Sequence, residues 1–314
     1  MGCASALPPA SVTIVTTCKG RLGHLKQSLP TMVATGLPVV LVDYDCPEGA
    51  QHYAEENFPD VNIVAVAGRT VFNLAAARNL GAAVARSPFV FFCDCDVLVG
   101  EAFSAALRGL ALSEQAFLVG GTGTLHGQCI VAKAAFDRIG GYDEVITGWG
   151  GEDGDFYLRL QAAGCGRGEL PADLLTALPH SNRERTAFTG GGDPKASHRL
   201  NVAYATIKRD LEVLGTKPLP RELCEKVRAV VVAAFDQAER THRAAVVTFP
   251  IPVALGPVAH LLDGTEGYRL TRHLRYEIAP VSPSRWSRLV MTLRAGRILA
   301  RLKRRLFNRQ AAPR

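Results

Sequence analysis

From Ser11 to about Cys93, short β-branched and aromatic runs alternate with stretches of helical character. The runs are Val12-Thr13-Ile14-Val15, Val39-Val40-Leu41-Val42, Val61-Asn62-Ile63-Val64 and Phe89-Val90-Phe91-Phe92; the helical stretches are Leu22 to Leu29, Gly49 to Asn57 and Asn73 to Arg86. Strands spaced by helix-length segments need crossover connections, so the pattern predicts a largely parallel sheet. The expected fold class is α/β, a Rossmann-like mixed sheet with helices on both faces. In open sheets of this kind ligands gather at the carboxyl ends of the strands.

Beyond Gly100 the signals mix. A helix is expected near Glu101 to Leu112, apolar strands at Phe117 to Val119 and Cys129 to Val131, a helix from about Glu152, and another apolar run from Leu174 to Leu178. The glycine-rich Thr189 to Pro194 reads as a mobile loop able to close over a ligand. Helical pattern resumes at Asn201, breaks at Pro218 and Pro220, and returns from Arg221 to Arg243. We expect a catalytic domain over residues 1–210, a helical C-terminal extension over 211–283, and a basic tail over 284–314.

That tail holds nine Arg, one Lys and no acid, so its +10 taken from the chain's +7 leaves −3 on the rest. The body is therefore mildly acidic, and no nucleic-acid partner is expected. Trp286, Leu289, Val290, Leu293, Ile298, Leu302 and Leu306 recur in the tail at near-helical spacing among its cations. A basic amphipathic helix of this kind suits an anionic membrane surface. No apolar run approaches the ~20 residues that span a bilayer. The first residues lack a signal-peptide pattern, and Ala6 stands where a myristoylation signal wants Ser or Thr, so a cytoplasmic protein is expected, peripheral on the inner face of the membrane through its tail. Eight scattered cysteines without a Cys-x-x-Cys pair read as reduced, small apolar residues.

Two acidic clusters carry the chemistry. Asp94 and Asp96 follow an apolar run at i and i+2, so an extended backbone turns both to one side and Cys93 and Cys95 to the other. Hard oxygen donors so placed suit Mn²⁺ or Mg²⁺ bridging a diphosphate. A solvated turn after a strand is the plainer alternative for this pair. The second cluster is Gly148-Trp149-Gly150-Gly151-Glu152-Asp153-Gly154-Asp155. Acids at a helix start are favoured by the free amides and the helix dipole, so capping alone could account for them. Trp149 beside two glycines argues for more, since a sugar ring could approach the backbone there and stack on the indole.

Trp149-Gly150-Gly151-Glu152-Asp153, after an Asp-x-Asp element and the opening Thr16-Thr17-Cys18-Lys19-Gly20-Arg21, resembles GT-A-fold glycosyltransferases. The likeness is to family 2-like bacterial enzymes related to β-1,4-galactosyltransferases and chondroitin polymerases, and it spans roughly residues 11–205. It implies that Asp153 is the general base toward the acceptor hydroxyl, and that Glu152, with Trp149, Gly150 and Gly151, holds the acceptor sugar. It implies that Asp96 binds metal, with Asp94 helping through metal, water or ribose. His180 would complete the metal shell, with His198 as the fallback. Thr16, Thr17 and Arg21 would bind the donor, Asp43 would meet the uracil, and Arg78 would lie near the diphosphate. Related retaining polypeptide transferases carry Asn where Asp153 stands, which favours inversion. Cys95 replaces the usual apolar middle residue and Gly154 interrupts the acidic run, which leaves the acceptor open.

The expected protein is thus an inverting, metal-dependent transferase with Mn²⁺ (or Mg²⁺), a UDP-sugar donor of galactose or N-acetylhexosamine type, and a glycan or lipid-linked acceptor. Two alternatives stand beside it. One is a sugar nucleotidyltransferase, which would exchange pyrophosphate without needing Asp153; the other is a catalytically silent sugar- or nucleotide-binding module. No Gly-Lys-Ser/Thr phosphate loop, His-Glu-x-x-His or Gly-x-Ser-x-Gly motif supports a kinase, zincin or hydrolase.

Overall fold

The computed structural model describes residues 11–190, 192–215, 218–251 and 272–280. The expected amphipathic helix of the tail lies outside the described residues. The chain forms two compact units, Met1–Val231 and Val232–Arg314.

In the first unit the elements run β1 (Val12–Cys18), α1 (Leu22–Ala34), β2 (Val39–Tyr44), α2 (Ala50–Asn57), β3 (Asn62–Val66), α3 (Leu74–Val84), β4 (Phe89–Phe92), β5 (Val97–Val99), α4 (Phe103–Leu107), β6 (Ala116–Val119), β7 (Cys129–Ala132), α5 (Lys133–Arg138), α6 (Glu152–Ala162), β8 (Gly166–Glu169), β9 (Leu175–Ala177), α7 (Asn182–Thr186) and α8 (Pro194–Gly215). Helix α9 (Arg221–Thr241) follows. Residue 210 lies inside α8, so that helix runs through the position where sequence placed a domain edge.

A seven-stranded sheet has the order β3-β2-β1-β4-β7-β6-β8. Its β3-β2-β1-β4 portion is parallel, and β7 then runs antiparallel to both β4 and β6. Every residue of β1, β2 and β4 is buried, as expected of central parallel strands covered on both faces. Strand order reverses between β1 and β4, so the residues following these two strands flank a switch point where α/β sheets place ligands. Thr17, Lys19 and Arg21 leave β1 there, and Asp94 and Asp96 leave β4.

Helix α3 brings a third element to the same place. Asn73 caps it, accepting from the Ala76 amide at 3.0 Å, and its inner face is Ala75, Ala77, Arg78, Gly81 and Ala82. A Cβ on Gly81 would stand 2.3 Å from Val15 Cγ1, so this glycine lets the helix lie close on β1. Arg78, one turn earlier, is 1% exposed.

The helix expected from Glu101 to Leu112 is only Phe103–Leu107, and β5 and β8 carry no apolar run long enough to announce them. In the second unit β10 (Ala245–Ile251) pairs antiparallel with β11 (Arg272–Ile278). Ala245, Val247 and Phe249 are buried while Val246, Thr248 and Pro250 are exposed, the period of a half-buried strand. The extension therefore holds a β-ladder as well as helix. Among the described residues no helix is long and apolar enough to cross a membrane.

Candidate active site

The two acidic clusters meet in one cleft of about 640 Å³. Arg78 joins them, its Nη1 donating to Asp153 Oδ1 at 2.5 Å and its Nη2 to Asp94 Oδ1 at 2.9 Å. Between the carboxylates lies Gly127, where a Cβ would stand 3.1 Å from Asp153 Oδ2 and 3.3 Å from Asp94 Oδ2. Any larger residue would crowd both acids.

Strand β4 stops at Phe92 and residues 95–96 turn, so strand alternation is not what aligns the two aspartates. The sorting by burial still holds, with Cys93 and Cys95 inside and both acids partly open. Asp94 is gripped on several sides: Gln128 Nε2 donates to its Oδ2 at 2.9 Å, and its own amide donates to Gln128 Oε1 at 2.8 Å. Burial opposes the Asp94 charge, but Arg78 and Gln128 outweigh it and hold the carboxyl below its usual range. Asp96 moves the other way, raised by burial and then by the charge on Asp94. Its Oδ2 accepts from Arg21 Nη1 at 2.6 Å and lies 3.5 Å from His180 Nε2.

Asp96 and His180 are therefore side by side, with the carboxylate and imidazole donors that a divalent ion accepts. No group of three metal-type ligands converges among the described residues. A hard cation that completes its shell with phosphate oxygens and water fits such a two-donor site, and one that needs a closed protein cage does not. His198 lies elsewhere in the cleft, its ring 5.9 Å from that of Trp149.

Glu152 and Asp153 open α6 and both line the cleft. Burial, and then the neighbouring Asp153 charge, raise the Glu152 carboxyl to about 7. Asp155, the third acid of the run, is used differently. It is 5% exposed, and its oxygens meet Lys208 Nζ at 2.9 Å and Arg159 Nε at 2.7 Å, so it ties α6 to α8.

The glycines before α6 have a role the sequence did not disclose. Gly148, Gly150 and Gly151 all have positive φ. A Cβ on them would meet Ser197 Oγ at 2.4 Å, His198 Nδ1 at 2.8 Å and Asn201 Cβ at 2.8 Å. The close approach they permit is that of helix α8, where a sugar ring was expected. Asn201 secures it, donating to Gly150 O at 2.6 Å and Thr147 O at 3.0 Å.

Of the residues assigned to the donor, Thr17, Arg21 and Asp94 line the cleft. Thr16 is fully buried in the sheet. Asp43 is 6% exposed and its two oxygens accept from the Cys46 and Gln51 amides, both at 2.7 Å, so it closes the turn after β2. Arg78 faces carboxylates. Sequence reading missed Gln128, Phe72 and Phe188. The Phe72 amide donates to Phe188 O at 2.6 Å, and the Phe188 ring covers Gly20, where a Cβ would strike it at 1.8 Å. Lys19 in turn donates to the carbonyls of Tyr44, Asp45 and Arg69, stapling together the loops after β1, β2 and β3.

Residues 112–182, less than a quarter of the chain, match the family model described as N-terminal domain of galactosyltransferase. That segment contains Gln128, the Trp149 to Asp153 run and His180. Among solved structures, GalNAc-T7 with UDP, GalNAc and Mn²⁺ superposes with a TM-score of 0.51 at 13% identity, over 74% of this chain and 58% of that one. The mannosyltransferase PcManGT from Pyrobaculum calidifontis, in complex with GDP-Man and Mn²⁺, gives 0.49 at 16% identity, over 73% and 75%. The catalytic domain of Drosophila β1,4-galactosyltransferase 7 with xylobiose gives 0.42 at 17%, over 59% and 76%. A search of curated protein sequences finds no match. Fold and matched segment define the class: this chain is a glycosyltransferase with the GT-A fold.

Proposed function

We propose that the enzyme is an inverting transferase moving a hexose or N-acetylhexosamine, galactose-type favoured, from a UDP-sugar to a hydroxyl of a glycan or lipid-linked acceptor. The observation that carries this reading is Arg78 holding Asp94 and Asp153 across one cleft, which puts the donor's diphosphate side and the acceptor's base within reach of each other.

Asp153 Oδ1 is taken by Arg78, which fixes the carboxylate and leaves Oδ2 facing the incoming hydroxyl. As the acceptor oxygen bonds to the anomeric carbon, its proton passes to Asp153 and the bond to the UDP oxygen breaks on the opposite face. Glu152 and Trp149 hold the acceptor ring, and Arg21 stands ready for the diphosphate. A divalent cation, Mn²⁺ as in the GalNAc-T7 complex, would be held by Asp96 and His180 and would offset the charge on the departing diphosphate. Residues 284–314 would keep the enzyme on an anionic membrane surface at the cytoplasmic face.

The test is UDP release from a panel of UDP-sugars with Mn²⁺, with Asp153→Asn beside the wild type and the product anomer read by NMR. Inversion with a loss of about 10²- to 10⁴-fold in the variant supports the reading. Equal turnover in Asp153→Asn removes the base, and retained configuration removes the single displacement.

A further inference from the structure

The cleft does not end at the carboxylates. It continues between α6 and α8, and there Leu158, Ala162, Val202, Ala205, Val213 and Pro218 line it, with Arg159, Thr206, Arg209 and Glu212 beside them. Leu158 is 46% exposed, Val202 45% and Val213 70%. Scattered surface apolar residues mean little, but several lining one cleft mark a binding surface. Nor is this lining the side that the helices turn to the core. Helix α6 buries Phe156, Tyr157 and Leu160 there, and α8 buries Tyr204, Ile207 and Leu211, with Lys208 on Asp155 and Asp143. The exposed lining remains after both helices have satisfied their packing.

We infer that this groove takes an apolar aglycone, the alkyl chain of an amphiphilic acceptor whose sugar sits at Asp153. The inference rests on the transferase reading and names its acceptor class. Continuity argues for it: a molecule presenting a hydroxyl to Asp153 has its remainder directed along α6, and the groove is one cavity with that carboxylate. At 1.5 Å per residue, α6 runs about 14 Å from Asp153 to Ala162, room for a medium alkyl chain. The chemistry changes along the way as such a molecule's would, from Glu152, Trp149 and His198 at the inner end to aliphatic side chains edged by Arg209 and Glu212 at the outer. Gly154 sits at the transition, and a Cβ built on it meets nothing within 4 Å. The residue that breaks the acidic run thus leaves the groove entrance open.

The experiment compares methyl and octyl β-glycosides of glucose, N-acetylglucosamine and xylose as acceptors, with Mn²⁺ and the UDP-sugar panel. The octyl compound should have a KM at least tenfold lower, with kcat little changed. In Gly154→Phe, whose ring would fill the groove, the two KM values should converge. Val213→Asp, on a residue too exposed to disturb the core, should raise the octyl KM alone and serves if the first variant does not fold. A diazirine-tagged octyl glycoside added without donor should label peptides from α6 and α8, with octyl but not methyl glycoside competing. Labelling without turnover on any UDP-sugar would keep the groove and sink the transferase reading. Turnover with equal KM values and no labelling of α6 or α8 would do the reverse. A dimer in sedimentation that Val213→Asp dissolves would assign the groove to a second copy and overturn the proposal.

Discussion

Arg78 holds Asp153 by a hydrogen bond of 2.5 Å between Nη1 and Oδ1 while being 1% exposed to solvent. A buried guanidinium keeps its charge here because Tyr142, Asp153 and Asp94 surround it, against the opposing effect of burial. The pair is a structural joint, since the second nitrogen holds Asp94.

Arg78→Met should therefore destabilise the fold by about 3–5 kcal/mol, because it strands two carboxylates beside each other. Urea unfolding at neutral pH measures it. Arg78→Lys keeps a charge but reaches only one acid, so its kcat should fall about 100-fold through misplacement of the base. Wild-type turnover in the lysine variant would show that bridging is unnecessary.

Manganese should bind weakly to the free enzyme. Among the described residues only Asp96 and His180 offer donors there, and Arg21 already occupies Asp96 Oδ2 at 2.6 Å. UDP brings phosphate oxygens and a counter-charge for Arg21, so it should tighten Mn²⁺ by about tenfold or more, and Mn²⁺ should tighten UDP by the same factor. Electron paramagnetic resonance titrations with and without UDP read this directly. Equal affinities would mean a complete protein site.

The Glu152 carboxyl, raised to about 7 from 4.5, gives a signed pH effect. The folded protein holds this proton more tightly than the unfolded chain, so the stabilisation is full below pH 4.5 and lost as pH rises through 7. Glu152→Gln cannot ionise. In metal-free protein it should match wild type near pH 4.5 and exceed it at pH 8 by about 1 to 3 kcal/mol, the partial exposure of Glu152 tempering the figure. Thermal melts at the two pH values decide it; a constant offset would exclude the titration.

Cys46 should be the most reactive thiol among the described cysteines. A hydrogen bond from Cys18, with the two sulfurs 4.0 Å apart, and the Gly20 amide at 3.2 Å pull it down to about 6. Iodoacetamide labelling with peptide mapping should show the Cys46 rate climbing between pH 5 and 7. A midpoint near the ordinary thiol value of 9 would refute it.

The parallel half of the sheet was legible because strands buried on both faces must be apolar throughout, and Val39 to Val42 or Phe89 to Phe92 read as nothing else. Strand β8, Gly166–Glu169, was not, since it pairs through its backbone and has no apolar side chain to signal it. Pro250 disguised β10, although an exposed edge position tolerates a proline. Asp94, Asp96 and Asp153, which share one cleft, stood out by residue type. Gln128 did not, because a glutamine on a strand end gives no hint of the aspartate that tertiary structure sets beside it. Arg78 was picked out for a place near the diphosphate, but its two carboxylate partners were not foreseen, since an arginine on an alanine-rich helix does not reveal which anions it faces. The same limit applies to Asp43, whose two oxygens are spent on a turn.

Three glycines of the loop before α6 abut three positions within about one turn of α8, Ser197, His198 and Asn201. The loop that carries Trp149 and leads into Asp153 consequently cannot be repositioned through one residue of α8 alone. Enlarging any of those helix positions would lever the loop outward, dragging the indole and Asp153 with it, so loop and helix must be redesigned together or both left alone.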